Sequence, residues 1–102
     1  MMKLEDTEWI ARTNDVRVRV NTLGPGQSTP WHLHSTTTDT VFCMEEGLHV
    51  RMRDPDEEVS LRPGERRHVA PGRVHQVVNA TPHPLRYLLV QATGPYDFIE
   101  VE

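Results

Sequence analysis

Residues 26–39 read Gly26-Gln27-Ser28-Thr29-Pro30-Trp31-His32-Leu33-His34-Ser35-Thr36-Thr37-Thr38-Asp39. The decisive part is Trp31-His32-Leu33-His34. On a β-strand, residues two apart project from the same face, which puts the two imidazoles on one side and Trp31 and Leu33 on the other. Two neutral imidazoles side by side suit a shared ion. On the same rule Asp39 shares a face with Val41, Cys43 and Glu45, and downstream His75 shares one with Val77 and Asn79.

The sequence around this stretch is strand-like. Val16, Val18 and Val20 alternate with Arg17, Arg19 and Asn21, and Leu48, Val50 and Met52 alternate with His49, Arg51 and Arg53. This is the period of half-buried strands. Further strands are expected at residues 40–45, 57–61, 66–70, 74–79, 85–91 and 98–101, rich in Val, Leu, Phe and Tyr. Gly24-Pro25-Gly26, Asp54-Pro55-Asp56, Pro63-Gly64, Pro71-Gly72 and Gly94-Pro95 supply turns between them. No segment has a helical period, and the eight prolines would interrupt most candidate helices. Eight short strands at this spacing predict an all-β barrel or sandwich. With 102 residues and no linker, repeat or composition break, residues 1–102 are expected to form one domain.

At this point the chain resembles the cupins. Their first motif runs Gly, five residues, His-x-His, three or four residues, Glu, six residues, Gly; here Gly26, His32, His34 and Asp39 fall in place. Glu46 occupies the position of the closing glycine and Gly47 comes one residue late, so an alternative register puts Thr40 at the acidic position. In the second motif Gly64, Gly72, His75 and Asn79 are in register, with the proline at 71 rather than 70. The motifs span residues 26–79. The resemblance implies a double-stranded β-helix, or jelly-roll, barrel with an ion near one end of its interior. It also implies His32, His34, Asp39 and His75 as ligands and Gly26, Gly64 and Gly72 as turn formers. The expected cofactor is one divalent transition metal ion, iron, manganese, zinc, nickel or copper.

Composition removes other function classes. The formal charge is −4, and no stretch gathers five or six Lys or Arg, so neither nucleic acid nor an anionic membrane is an expected partner. Residues 1–10 mix Lys3, Glu5, Asp6 and Glu8 among few apolar residues, unlike a signal peptide, which makes a cytoplasmic location the expectation. Cys43 is the sole cysteine, so thiolate zinc clusters and internal disulfides are excluded.

Cys43 could line a pocket, although a lone Cys is more often a small buried hydrophobe. His49 and His68 match no motif position and read as surface or cross-strand residues, and His83, between Pro82 and Pro84, as loop. Arg66, Arg67 and Arg73, near Glu57, Glu58 and Glu65, read as a solvated mixed-charge face. Gln76, Phe42, Tyr87 and Trp31 are candidates for contact with a small-molecule ligand. Residues 98–101 either complete the barrel or add to a neighbour's sheet in a homodimer, the expected assembly.

A mononuclear ion with an open position implies a metal-dependent enzyme on a small polar organic molecule, of dioxygenase or Lewis-acid isomerase or lyase type. The alternative is a non-catalytic binding or sensor protein. A metal-free sugar-modifying enzyme using Tyr87 or Tyr96 ranks last.

Overall fold

The computed structural model describes residues 4–102, with side chains from residue 6; residues 1–3, the start of the segment read as lacking a signal peptide, lie outside the described residues. The strands are β1 (Leu4–Arg12), β2 (Val16–Leu23), β3 (His32–Leu33), β4 (Thr38–Cys43), β5 (Leu48–Met52), β6 (Glu57–Leu61), β7 (Arg66–Val69), β8 (His75–Asn79), β9 (Leu85–Ala92) and β10 (Ile99–Glu100). They form two five-stranded antiparallel sheets, ordered β1-β2-β9-β4-β7 and β10-β3-β8-β5-β6. No described helix is long and apolar enough to cross a membrane.

All eight expected strands form. β1 was not expected, and its register explains why: irregularities between Leu4 and Asp6 and between Trp9 and Ala11 break the two-residue period that would reveal it. The expectation for residues 98–101 resolves to its first alternative. Ile99 pairs with Leu33 and Glu100 with His32, so β10 completes this chain's own sheet.

Alternation then sorts the side chains. β5 turns Leu48, Val50 and Met52 inward and β9 turns Leu85, Tyr87, Leu89 and Gln91 inward, while Val41, Val69, Val77 and Leu23 arrive from their own strands. Burying such side chains is worth about 1.5–3 kcal/mol each before entropy is counted. Cys43 belongs to this core. Its Sγ donates to the carbonyls of Glu45 and Leu61 at 3.0 and 3.4 Å, and burial pushes the thiol pKa up, so it is an inert packing residue.

One end of the interior is closed by Asn79, which is fully buried. Its Nδ2 donates to the carbonyls of Leu23, Gly24 and His83 at 3.2, 2.9 and 2.7 Å, and its Oδ1 accepts from the Thr81 backbone at 2.9 Å. Gly47 borders the same end. It has φ +102°, and a Cβ there would meet Thr81 Cγ2 at 2.1 Å, so glycine is required at this position and not at 46. The late glycine of the first motif thus does the motif's work one residue along.

Candidate metal centre

The opposite end of the interior gathers the motif residues. β3 and β8 pair so that His32 faces His75, and on the other sheet β4 and β9 pair so that Asp39 faces Gln91. His34 follows β3, and its carbonyl accepts from Gly72 N at 2.8 Å, tying the two histidine-bearing loops together. Gly72 takes φ +80°, a turn conformation other residues adopt only with strain.

Each imidazole is held by its Nδ1. His32 Nδ1–H donates to Pro30 O at 2.8 Å, His34 Nδ1–H to Asp97 O at 2.5 Å and His75 Nδ1–H to Arg73 O at 2.9 Å. A ring nitrogen committed to a carbonyl fixes both tautomer and ring orientation, leaving Nε2 to face the common centre. There Asp39 Oδ2 lies 3.0 Å from His34 Nε2 and 2.8 Å from His75 Nε2. Its Oδ1 accepts from Gln91 Nε2 at 3.0 Å. One ligand atom from each of His32, His34, Asp39 and His75 lies within 4.8 Å of the others, and all four residues are buried.

These spacings fit a metal. At bond lengths of about 2.1 Å, adjacent corners of an octahedron are about 3.0 Å apart, close to the separations between Asp39 and its two imidazoles. Imidazole nitrogen with one carboxylate is a donor set for first-row transition ions. The four residues could therefore hold one divalent transition metal ion.

The electrostatics fit as well. Burial disfavours a charged Asp39, but hydrogen bonds from His34 and His75 outweigh it and hold the carboxyl below the usual range. Burial likewise pulls His34 down, yet the Asp39 hydrogen bond and charge, with the Asp97 carbonyl, raise its pKa above 6.5. His32 has no such partner: burial, aided by His75, depresses it to about 4, so it is neutral at neutral pH.

The site opens on a small cavity, about 30 Å³, room for a water or two beside the ligands. Tyr87 lines it, donating nothing to the protein while its OH accepts from Asn21 Nδ2 at 3.3 Å. Burial pushes the phenol up to about 12. Gln76 and Phe42 lie off this cavity: each sits next to an inward residue, His75 or Val41, and so points from the opposite face of its strand. Gln76 instead bonds Ser28 and the Thr29 carbonyl. Trp31 is also outside the cavity, under the Arg53 guanidinium at 4.0 Å. Among the other histidines, His68 bonds Thr40 across β4 and β7, and His49 pairs with Glu58. Arg67 and Arg73 share Glu57, as a mixed-charge face should.

The sequence reading missed Arg19, Asn21, Gln91 and Phe98 as members of the cavity wall. Phe98 stacks on His32 with ring centroids 4.3 Å apart and planes at 12°. The alternation at residues 16–21 was the available signal, but it does not say which face turns inward. Here the polar face does, in phase with buried Asn21 and Leu23.

Comparison with known proteins agrees with this architecture. Residues 19–91 match the cupin domain family, which covers most of the chain, and the chain belongs to that family. Among solved structures it is similar to an uncharacterized conserved protein with a double-stranded β-helix domain from Klebsiella pneumoniae subsp. pneumoniae, at 26% identity and TM-score 0.75 over 92% of this chain and 81% of that one. It is also similar to a Thermus thermophilus protein (22% identity, TM-score 0.76, 91% and 86% covered). A recombinant oxalate oxidase in complex with glycolate shares the fold at 16% identity and TM-score 0.79, with 93% of this chain covered and 54% of that chain. No curated protein matches the chain.

Proposed function

We propose that this cupin is a metal-dependent enzyme acting on a small polar organic molecule, with one divalent transition metal ion held by His32, His34, His75 and Asp39. The observation that carries the reading is the trio of Nδ1–H bonds to the carbonyls of Pro30, Asp97 and Arg73, which leaves three Nε2 atoms turned toward one carboxylate. Such prearrangement is how metal sites keep ligand orientation, and three imidazoles with one carboxylate leave coordination positions for a reactant. When bound, the ion would supply Lewis-acid polarisation or, if redox-active, oxygenase chemistry.

The protein's own groups support the same reading. Gln91 holds Asp39 through Oδ1, keeping Oδ2 directed at the imidazoles. Phe98 and Leu89 make the cavity wall apolar and limit water, and the Tyr87 hydroxyl is free to donate to a reactant oxygen. Protein purified without chelator or nickel resin should hold near-stoichiometric metal by elemental analysis, and His75→Ala should lose it. Turnover without metal in His32→Ala would overturn the reading.

A second reading is a binding or sensor protein, favoured by one observation. Apart from the four candidate ligands, the titratable groups on the cavity wall are Arg19 and Tyr87, and the latter's pKa, at about 12, is far from a general base's. A metabolite screen that finds tight binding without turnover would select it.

A further inference from the structure

Two arginines point the wrong way for a barrel wall. On β2, Arg17 and Arg19 are in phase with the buried Asn21 and Leu23, and β2 pairs with β9 from Val16 to Leu23 without a bulge. Both guanidiniums therefore lie on the inward face. Arg19 lines the same cavity as His32, His34 and Asp39. The Nε atoms of Arg17 and Arg19 are buried and have no hydrogen-bond partner among the described residues. A buried, unmade hydrogen bond on a cation is costly, and the one on Arg19, which borders the cavity, is placed for an acceptor that arrives from outside.

The surroundings carry the same sign. The guanidiniums of Arg12, Arg17 and Arg19 lie 4.4, 4.8 and 5.0 Å from the centre of the Trp9 ring, and Arg17 also lies 4.0 Å from that of Tyr96. Ring faces hold cations without neutralising them. Among the described residues none of the three arginines has a carboxylate within ion-pair distance, although Arg51, Arg67, Arg73 and Arg86 each have one. A chain of net charge −4 thus gathers three cations without a described carboxylate partner around the Trp9 ring, one of them, Arg19, on the cavity wall.

Distance sets what the charge can reach. Arg19 Nη2 donates to Gln91 Oε1 at 3.3 Å, and the other end of the same amide donates to Asp39 at 3.0 Å. One amide group separates the guanidinium from the candidate metal ligands. A planar oxyanion on the Nε edge of Arg19 could therefore place its remaining atoms over the metal position, and Arg–carboxylate pairing is the geometry that edge favours. At about 30 Å³ the cavity suits a carboxyl group with at most one further carbon, not a sugar ring.

We infer that the cavity takes a small organic carboxylate, anchored by Arg19 with Arg17 behind it, between the guanidinium edge and the metal centre. The inference rests on the proposed metal site for its second anchor. The test is calorimetric titration of the metal-loaded protein with formate, acetate and glycolate, with neutral acetamide and with inorganic phosphate, metal content being measured on each sample. At least one carboxylate should bind, and acetamide at least tenfold more weakly than acetate. Arg19→Gln should weaken the bound acid about 10- to 100-fold at unchanged metal content, the loss expected for a charge-assisted hydrogen bond. Arg19→Lys should recover part of it, which also guards against a folding defect.

Failure to bind any of the acids, undiminished binding in Arg19→Gln, or binding of phosphate in preference to every acid would overturn the assignment. A protein that retains no metal yet binds an acid through Arg19 would instead support the arginine anchor and sink the metal reading.

Discussion

At one end of the barrel interior, Leu23, Leu48 and Leu85 close around a single buried amide, Asn79; at the other, three imidazoles close around a single buried carboxylate, Asp39. The strands are the same: β8 supplies both Asn79 and His75, and β9 both Leu85 and Gln91. The difference lies in how the polar group is satisfied. Asn79 has partners on both its nitrogen and its oxygen, all from protein, and nothing is left over for a ligand. Asp39 faces the Nε2 atoms of two imidazoles, groups that can equally face an ion, and beside it stand arginine nitrogens with no partner among the described residues. A satisfied polar group gives stability, and an incompletely satisfied cluster gives a site.

The contrast can be broken first at the closed end. Leu48→Ala should lower stability by about 3–4 kcal/mol, the cost of deleted packing and a residual cavity, while metal per folded molecule stays unchanged. Chemical denaturation with elemental analysis reads both, and a variant that loses metal while folded would show the two ends to be coupled.

Next comes the pH response of the metal-free protein. His32 has a folded pKa of about 4 against an ordinary 6.5, so between those values the unfolded chain binds a proton that the folded one refuses. Stability should therefore fall as pH drops from about 6.5 to about 4, by on the order of 3 kcal/mol from this residue. His34 acts in the opposite sense, its raised value adding stability on the acid side that is lost as pH rises through it. Denaturation curves for wild type and His32→Gln separate the two. The variant should lose less over that window, and identical slopes would remove His32 as the cause.

Asn79→Ala is expected to cost about 2–3 kcal/mol by leaving the Leu23, Gly24 and His83 carbonyls short of a donor. Gln91→Leu should be milder in stability and visible at the open end, weakening metal affinity about 10- to 100-fold by freeing Asp39 from its amide. Smallest is the proton count. Binding of metal near pH 7 should release protons, chiefly from His34, and affinity should fall as pH drops through the raised His34 value. Calorimetry in two buffers of different ionisation enthalpy measures it.

How much of this was legible in the sequence follows the range over which each feature is specified. His32 and His34 are two residues apart and read directly. His75, Asn79 and the glycines were found by fixed offsets, and the structure brings His32, His34, Asp39 and His75 to one point. Gln76 and Phe42 lie off the cavity beside the imidazoles because a one-residue step on a strand reverses the face. Arg19 and Gln91 were not found because alternation identifies a strand without naming its inner side, and β2 here turns its arginines inward. Phe98 carries no local mark, since it reaches His32 only through pairing of β10 with β3.

The anchors of the three imidazoles differ in one respect that bears on how the protein comes into being. His32 and His75 are held by carbonyls two residues upstream, whereas His34 is held by Asp97, 63 residues downstream. Two of the three donors are thus set by their own turns, and His34 is oriented only once the segment carrying Asp97 has docked against it. A molecule in which that segment has not docked would leave the His34 ring unoriented and hold an ion less tightly.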